Sequence, residues 1–334
     1  MSRAPKLPHL VLTLGLLSLA AAPLPGQAQG APDFRIGYRV SAERQAPLRV
    51  AFEASAPAGY VVQWVFGDGT QATGLRAEHV YYRPGTYQLQ ATLVDAGGRV
   101  VSRAEAQLPV GSAGAERPAL TVLQPTPGEV RLSAEGSVLY TPARPTLMLS
   151  GREVGTGATR LPSGTHAAVV RATTSDGRTV EKRLNVTVAP WTGSAAFDAE
   201  VLRLTNQARA QGYNCATHRT GGGALPPLKL DPTLTVAAQA QSAGMALYGY
   251  FDHTSAFDGS TPMRRVLAAG LSPQSVAENI AAGQQSPAEV VQGWLKSPGH
   301  CRNIMGDFNR IGLSYVNRAG TTYGRYWTQV FARM

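Results

Sequence analysis

Three side chains in the C-terminal third of the chain have the chemistry of a binding or reactive site: His253, Glu278 and His300. Two imidazoles and one carboxylate suit a divalent cation such as zinc and leave a fourth position for water or a ligand. Because histidine titrates near neutral pH, the same groups also suit general acid-base chemistry. A purely structural network stays open as well, in which His253 caps a helix, Glu278 accepts hydrogen bonds from backbone amides and His300 orients a loop.

The elements that must position these groups are marked in the surrounding sequence. Apolar residues at helical spacing begin at Phe197 and run to a stop at Gly212. Three further helices begin with a capping residue followed by proline, at Asp231-Pro232, Thr261-Pro262 and Ser286-Pro287. Residues 311–315 and 326–331 read as strands joined by a turn at 317–320. Helices before and between strands predict an α-β-α sandwich.

Four motifs in this region resemble those of one family. Residues 251–253 read Phe-Asp-His, 278–281 read Glu-Asn-Ile-Ala, 294–300 read Trp-Leu-Lys-Ser-Pro-Gly-His, and 326–331 read Tyr-Trp-Thr-Gln-Val-Phe. Residues 197–334 thereby resemble the CAP superfamily, also called SCP or pathogenesis-related-1-like, and in particular its bacterial branch. The resemblance implies the same α-β-α sandwich, with a cleft that holds two histidines and two glutamates in eukaryotic members.

Only part of that tetrad carries over to this chain. His253 matches the first family histidine, and Glu278 matches the glutamate of the Gly-Glu-Asn motif, although Ala277 replaces the glycine. Ser297 and Tyr326 stand where the second glutamate and the second histidine would be, so His300 is the candidate for the missing imidazole. We therefore expect a ligand-binding cleft lined by His253, Glu278, His300, Tyr326 and Gln329. Within it, His253, Glu278 and His300 are expected to bind zinc weakly. No catalytic residue is assigned.

The N-terminal half reads as two β modules. Residues 64–69 read Trp-Val-Phe-Gly-Asp-Gly, and 84–87 read Pro-Gly-Thr-Tyr before an alternating strand. Residues 33–111 thereby resemble the PKD domain, an immunoglobulin-like β-sandwich. Residues 119–188 repeat the strand pattern around a hairpin turn at Asp176-Gly177 and predict a second immunoglobulin-like sandwich. We expect these modules to act as spacer or adhesion arms.

The N-terminus and the cysteines indicate export. Arg3 and Lys6 precede an apolar stretch at 10–22, which predicts a signal peptide over residues 1–28. No segment reaches the roughly 18 apolar residues of a membrane helix, so no membrane span is expected. Cys215 and Cys301 are the only cysteines. In an exported protein they favour a disulfide over two buried thiols or a metal pair.

The distribution of charged residues bears on whether the protein binds nucleic acid. The net charge is +10, but the positive residues are scattered and form no basic run, so no nucleic-acid partner is expected. The sequence therefore predicts a secreted or cell-envelope protein that binds a lipid, another small molecule, or wall polysaccharide or protein through its cleft. The alternative is a metal-dependent extracellular hydrolase acting on wall or protein substrates, and a structural surface module is the third reading.

Overall fold

The computed structural model describes residues 33–40 and 44–334 together with a short strand at Leu19–Ala20. The rest of the predicted signal peptide lies outside the described residues. The chain forms two compact units. The first contains the described residues up to Arg117 with Val138–Ala143 and Thr173–Arg178; the second contains Pro118–Ser137, Arg144–Ala172 and Thr179–Met334.

The first unit is a β-sandwich. Its strands pair in the order β1-β2-β4-β7 in one sheet and β3-β9-β8-β5-β6 in the other. Between the sheets, Phe52 contacts the rings of Trp64 and Phe66, and all three are buried. This confirms the first predicted sandwich. The strands are β1 (Leu19–Ala20), β2 (Arg35–Arg39), β3 (Gln45–Ala46), β4 (Leu48–Ser55), β5 (Val61–Val65), β6 (Gln71–Thr73), β7 (Arg76–Tyr81), β8 (Gly85–Val94) and β9 (Val100–Ser112).

A second sandwich follows, as the strand pattern predicted. Its strands pair in the orders β10-β11-β14 and β13-β12-β15-β16, and Leu120, Val170 and Val186 are fully buried in its core. The adjacent strands β15 and β16 form the predicted hairpin. The strands are β10 (Thr121–Leu123), β11 (Glu129–Ser133), β12 (Thr146–Leu149), β13 (Arg152–Val154), β14 (Thr159–Arg160), β15 (Gly164–Thr173) and β16 (Thr179–Val188).

The C-terminal part consists of one sheet and five helices. The strands are β17 (Lys229–Leu230), β18 (Ser275–Ala282), β19 (Arg310–Asn317) and β20 (Arg325–Arg333), in the sheet order β17-β19-β20-β18. The helices are α1 (Ala195–Ala210), α2 (Pro232–Tyr248), α3 (Pro262–Ala269), α4 (Pro287–Lys296) and α5 (Pro298–Ile304).

The predicted helix starts are confirmed by their caps. The side chains of Asp231, Thr261 and Ser286 each accept a hydrogen bond from a backbone N–H in the first turn of the helix that follows. Helix α5 was not predicted. Ser297-Pro298 repeats the same pattern, but the Ser297 side chain makes no capping hydrogen bond.

Helices cover both faces of the sheet. Helices α1, α4 and α5 pack on Leu313, Trp327 and Phe331, whereas α2 and α3 pack on Val330 and Ala332. Helix α2 approaches β19 so closely that a Cβ on Gly312 would lie 2.1 Å from the carbonyl carbon of Leu234. This three-layer arrangement confirms the predicted α-β-α sandwich.

Candidate functional site

Glu278 is a buried carboxylate on β18, the edge strand of the sheet. Its side chain is 1% exposed, and its Oε2 accepts a hydrogen bond of 2.7 Å from Nη2 of Arg265 on α3. The Arg265 side chain is itself only 2% exposed. A buried charge needs such a partner, because an isolated ion in the protein interior is strongly unfavourable. Sequence analysis missed Arg265, since an arginine on a helix ordinarily lies in solvent.

His253 lies in the loop that follows α2, and it meets the other oxygen of the same carboxylate. Its Nδ1 is 2.9 Å from Oε1 of Glu278, and its side chain is 45% exposed. A carboxylate that is ion-paired with a guanidinium only accepts hydrogen bonds, so Nδ1 of His253 carries the proton. In the neutral imidazole the lone pair then lies on Nε2, which hydrogen-bonds to none of the residues that the structure describes.

Arg265 holds the backbone around His253 as well as the carboxylate beside it. Its Nη1 donates to the carbonyl oxygen of Ser260 at 2.8 Å, and its Nη2 donates to the carbonyl oxygen of His253 at 3.0 Å. One guanidinium thus fixes both the position of the His253 backbone and, through Glu278, the orientation of the imidazole.

His300 reaches the site from α5. Asn279, the neighbour of Glu278 on β18, donates a hydrogen bond of 3.2 Å to the His300 carbonyl oxygen. Asn303 in turn donates to the carbonyl oxygen of Glu278 at 3.2 Å and to Oδ1 of Asn279 at 2.9 Å. Two side-chain amides therefore attach the His300 helix to the strand that carries Glu278.

The predicted disulfide is present and adjoins the site. Cys215 and Cys301 are joined with an S–S distance of 2.00 Å, and Cys301 is fully buried. Because Cys301 directly follows His300, the bridge anchors α5 at the residue next to the imidazole.

The two imidazoles influence each other. Burial lowers the pKa of His300, and protonation of His253 would lower it further. A lowered pKa favours the neutral form of His300, in which an imidazole coordinates a metal or accepts a hydrogen bond.

A half-buried acid, Asp198, lies on α1. Burial raises the pKa of Asp198 to about 7, against the opposing effect of a hydrogen bond from the Tyr315 backbone. Nothing in the sequence pattern distinguished Asp198 from an ordinary first-turn acid of a helix.

The fit of the three residues to zinc depends on Glu278. Both of its oxygens are engaged, by Arg265 and by His253. Within the described part of the chain, no three or more His, Cys, Asp or Glu side chains are grouped to hold a metal. With both oxygens engaged, Glu278 is left the outer position from which carboxylates orient metal-bound histidines, and the two imidazoles would be the direct ligands. The three-ligand zinc site stays a prediction.

Gln329 and Tyr326, the other two expected cleft residues, are buried in the interior of the domain. Gln329 is fully buried, donates to Oγ1 of Thr205 at 2.8 Å and accepts from Asn279 at 3.0 Å. Tyr326 is 1% exposed. In the β18–β20 register Tyr326 pairs with Ala282. Tyr326 thus lies four positions along the strand from the pair of Glu278, or roughly 13 Å away.

An exposed aromatic pair includes Phe251, two residues before His253. Phe251 is 45% exposed and Tyr323, in the turn between β19 and β20, is 46% exposed. Their ring centroids are 5.8 Å apart. We call this pair the aromatic rim. Sequence analysis did not identify Tyr323, because a lone tyrosine in a glycine-rich turn carries no pattern.

Comparison with known proteins agrees with these motifs. Residues 202–331 match the model of the cysteine-rich secretory protein family, CAP, and residues 30–110 match a PKD domain. A Bacillus subtilis (strain 168) protein named YkwD, described as uncharacterized, is 35% identical over 166 residues. The match covers 49% of this chain and 58% of that relative, so the chain spans somewhat more than half of the relative's length.

Two solved structures show weaker similarity. An extracellular protein containing an SCP domain from Bacillus anthracis is 18% identical, covering 74% of this chain and 82% of its own, with a TM-score of 0.34. An outer surface protein from Borrelia burgdorferi is 22% identical, covering 43% and 98% respectively, with a TM-score of 0.34.

The described residues contain no helix that is long and apolar enough to cross a membrane. The motifs, the three-layer fold and the matched models agree: residues 202–331 match the cysteine-rich secretory protein (CAP) family model, and residues 30–110 match the PKD domain model.

Proposed function

We propose that the CAP domain binds an extracellular small molecule at His253, with the two β-sandwiches as spacer or adhesion arms. The observation that carries this proposal is the pairing of a half-exposed imidazole with a carboxylate that is 1% exposed. Burying Glu278 and Arg265 is unfavourable for folding unless both charges are fully compensated. The arrangement keeps His253 in one tautomer, with Nε2 free to accept a hydrogen bond from a ligand.

The aromatic rim supports an amphipathic ligand. Exposed apolar side chains gathered beside a polar group are characteristic of ligand-binding surfaces. Phe251 and Tyr323 supply the apolar contact, and His253 supplies the polar one. A lipid or another molecule with a hydroxyl group next to an apolar body has this combination.

The test is to identify what copurifies with the full chain. Mass spectrometry of an extract from the secreted protein should find a small molecule in the wild type and not in His253→Ala. His166→Ala, in the second β-sandwich, is the matched control and should retain the ligand. If the wild type and His253→Ala carry the same molecules in the same amounts, the proposal is wrong.

A weak zinc site at the same two imidazoles is a related proposal. Calorimetric titration with zinc should show weak binding to the wild type and none to His253→Ala or His300→Ala. Glu278→Gln should bind about 10- to 100-fold more weakly, as expected for loss of a group that orients a ligand. A wild type that binds no zinc, or a His300→Ala variant that binds as well as wild type, would contradict the metal proposal.

The hydrolase alternative is favoured by one observation, the contact of 2.9 Å between Nδ1 of His253 and the Glu278 carboxylate. A histidine oriented by a carboxylate is a competent general base. Turnover of peptide or glycoside substrates with added zinc, lost in His253→Ala and kept in His166→Ala, would establish the alternative. We expect no turnover.

An extracellular or cell-envelope location is proposed on the basis of the predicted signal peptide and the disulfide. Disulfides persist in oxidising compartments and are rare in reducing ones. N-terminal sequencing of secreted material should start near Gln29.

A further inference from the structure

We propose that the second β-sandwich is part of the His253 site, and that Asp258 is the positioning residue that joins them. His253 lies in the segment 250–260, which we call the site loop. Asp258 in this loop is hydrogen-bonded to strand β10 of the sandwich. Further hydrogen bonds, through Arg265 and Glu278, connect this contact to His253. The inference concerns the same site as the proposed function, but its readout is His253 itself and needs no ligand.

Asp258 connects two backbones that are remote in sequence. It is 3% exposed, and its Oδ2 accepts a hydrogen bond of 2.9 Å from the backbone N–H of Val122 on β10. Its Oδ1 accepts a second bond of 2.9 Å from the backbone N–H of Ser260 in the site loop. A buried carboxylate with both oxygens bonded to backbone amides has one position, so it fixes the loop against the strand.

From Ser260 a continuous series of hydrogen bonds leads to the imidazole. The Ser260 carbonyl oxygen accepts from Nη1 of Arg265 at 2.8 Å, and Nη2 of Arg265 donates to Glu278 at 2.7 Å. Glu278 then accepts from Nδ1 of His253 at 2.9 Å. Each of these groups apart from His253 is buried, so none can exchange its partner for water without loss of stability.

The second β-sandwich also contacts the site loop at other residues. Lys182 on β16 donates from Nζ to the carbonyl oxygen of Asp258 at 2.8 Å. Phe257 packs against the core of the sandwich and stacks on Tyr248, with ring centroids 3.7 Å apart. The Tyr248 hydroxyl in turn accepts from the backbone N–H of Thr187 at 3.1 Å. The loop therefore contacts the sandwich at its polar and its apolar side chains.

The sandwich and the helices share apolar packing beyond the loop. Leu123 of β10 is fully buried in a cluster with Leu234 of α2 and Val266 of α3. Arg131 of β11 donates to the carbonyl oxygen of Ala269, at the end of α3, at 3.2 Å. Helix α3 carries Arg265, so the sandwich also supports the element that holds Glu278.

The test measures the His253 ring resonance by nuclear magnetic resonance in the full chain labelled at histidine Cε1. The chain has six histidines, and His253→Ala assigns the signal. Asp258→Ala should displace or broaden the His253 resonance while the resonance of His166 stays in place. Asp258→Asn keeps one acceptor oxygen and should restore the wild-type resonance in part. Lys182→Met, a change within the sandwich, should displace the same signal to a smaller extent.

The matched control is Asp231→Ala, which removes the α2 N-cap in the same unit. It should lower the melting temperature, since loss of an N-cap costs about 1 kcal/mol, yet leave the His253 resonance unchanged. The inference is overturned if folded Asp258→Asn and Lys182→Met both show the wild-type His253 resonance. It is equally overturned if Asp231→Ala displaces that resonance as far as Asp258→Ala does, because the effect would then be a general loss of stability.

Discussion

Replacing Arg265 with methionine should destabilise the second unit severely. The guanidinium bonds to Glu278 at 2.7 Å and to the carbonyl oxygens of Ser260 and His253 at 2.8 and 3.0 Å. Methionine occupies similar space but leaves the Glu278 carboxylate, 1% exposed, without a counter-charge. Breaking a buried ion pair in this way costs about 3 to 5 kcal/mol. The two unpaired carbonyl groups act in the same direction.

A double-mutant cycle separates the charge effect from lost packing. Glu278→Gln alone leaves the buried guanidinium of Arg265 unpaired, and the Arg265→Met, Glu278→Gln double variant buries no charge. The double variant should therefore be more stable than the sum of the two single effects implies, by roughly 2 to 3 kcal/mol. This coupling energy measures the interaction between Arg265 and Glu278. It excludes the packing energy that is lost when the Arg265 side chain is replaced.

Urea unfolding followed by tryptophan fluorescence measures these free energies. The chain has four tryptophans, of which Trp64 alone lies in the first unit, so a Trp64→Phe background reports on the second unit. Arg203→Met is the matched control, because Arg203 on α1 is exposed and its side chain bonds only to Glu200 and Gln207 on the same helix. It should leave stability close to that of the wild type, because exposed ion pairs contribute little. A loss below about 1 kcal/mol for Arg265→Met, or strict additivity in the cycle, would refute the reasoning.

Three further changes test other features of the C-terminal domain. Asp198→Asn should raise stability at pH 8 and flatten the pH dependence of urea unfolding. As pH rises from 3.8, the ordinary pKa, to about 7, the pKa in the folded state, Asp198 ionises first in the unfolded chain, which lowers the stability of the wild type by at most roughly 4 kcal/mol. Replacing Cys215 and Cys301 with serine should cost about 2 to 5 kcal/mol, read from urea midpoints without reductant; an unchanged midpoint would argue against the bridge. Gly312→Ala should cost about 3 kcal/mol or more, since its Cβ would lie 2.1 Å from a Leu234 backbone atom; a wild-type melting curve would contradict this contact.

Local signals in the sequence account for most of the fold. The N-caps at Asp231, Thr261 and Ser286 were predictable because capping involves residues three or fewer positions apart. Helix α5 was missed because it is short and Ser297 makes no capping bond, although the serine-proline pair before it was a usable signal.

The site was predictable only in its most distinctive members. His253, Glu278 and His300 stand in family motifs, so their types and neighbours identify them. Arg265 and Asp258 act through partners from other elements, and a single sequence contains no record of such pairings. The same reason applies to Leu123, because the helices that bury it, α2 and α3, lie far from it in the sequence.

The disulfide closes a covalent ring around the elements that carry the site. Between Cys215 and Cys301, 86 positions apart, lie α2, the site loop, α3, β18 and α4. Residues 216–224, inside the ring, are all exposed and include three consecutive glycines, which makes them an accessible target for a protease. A cut there would leave both fragments attached to each other, with His253, Glu278 and His300 all on the C-terminal piece. A nicked molecule would thus separate into two bands only under reduction, and an extracellular protein exposed to proteases would keep its site assembled after the first cleavage.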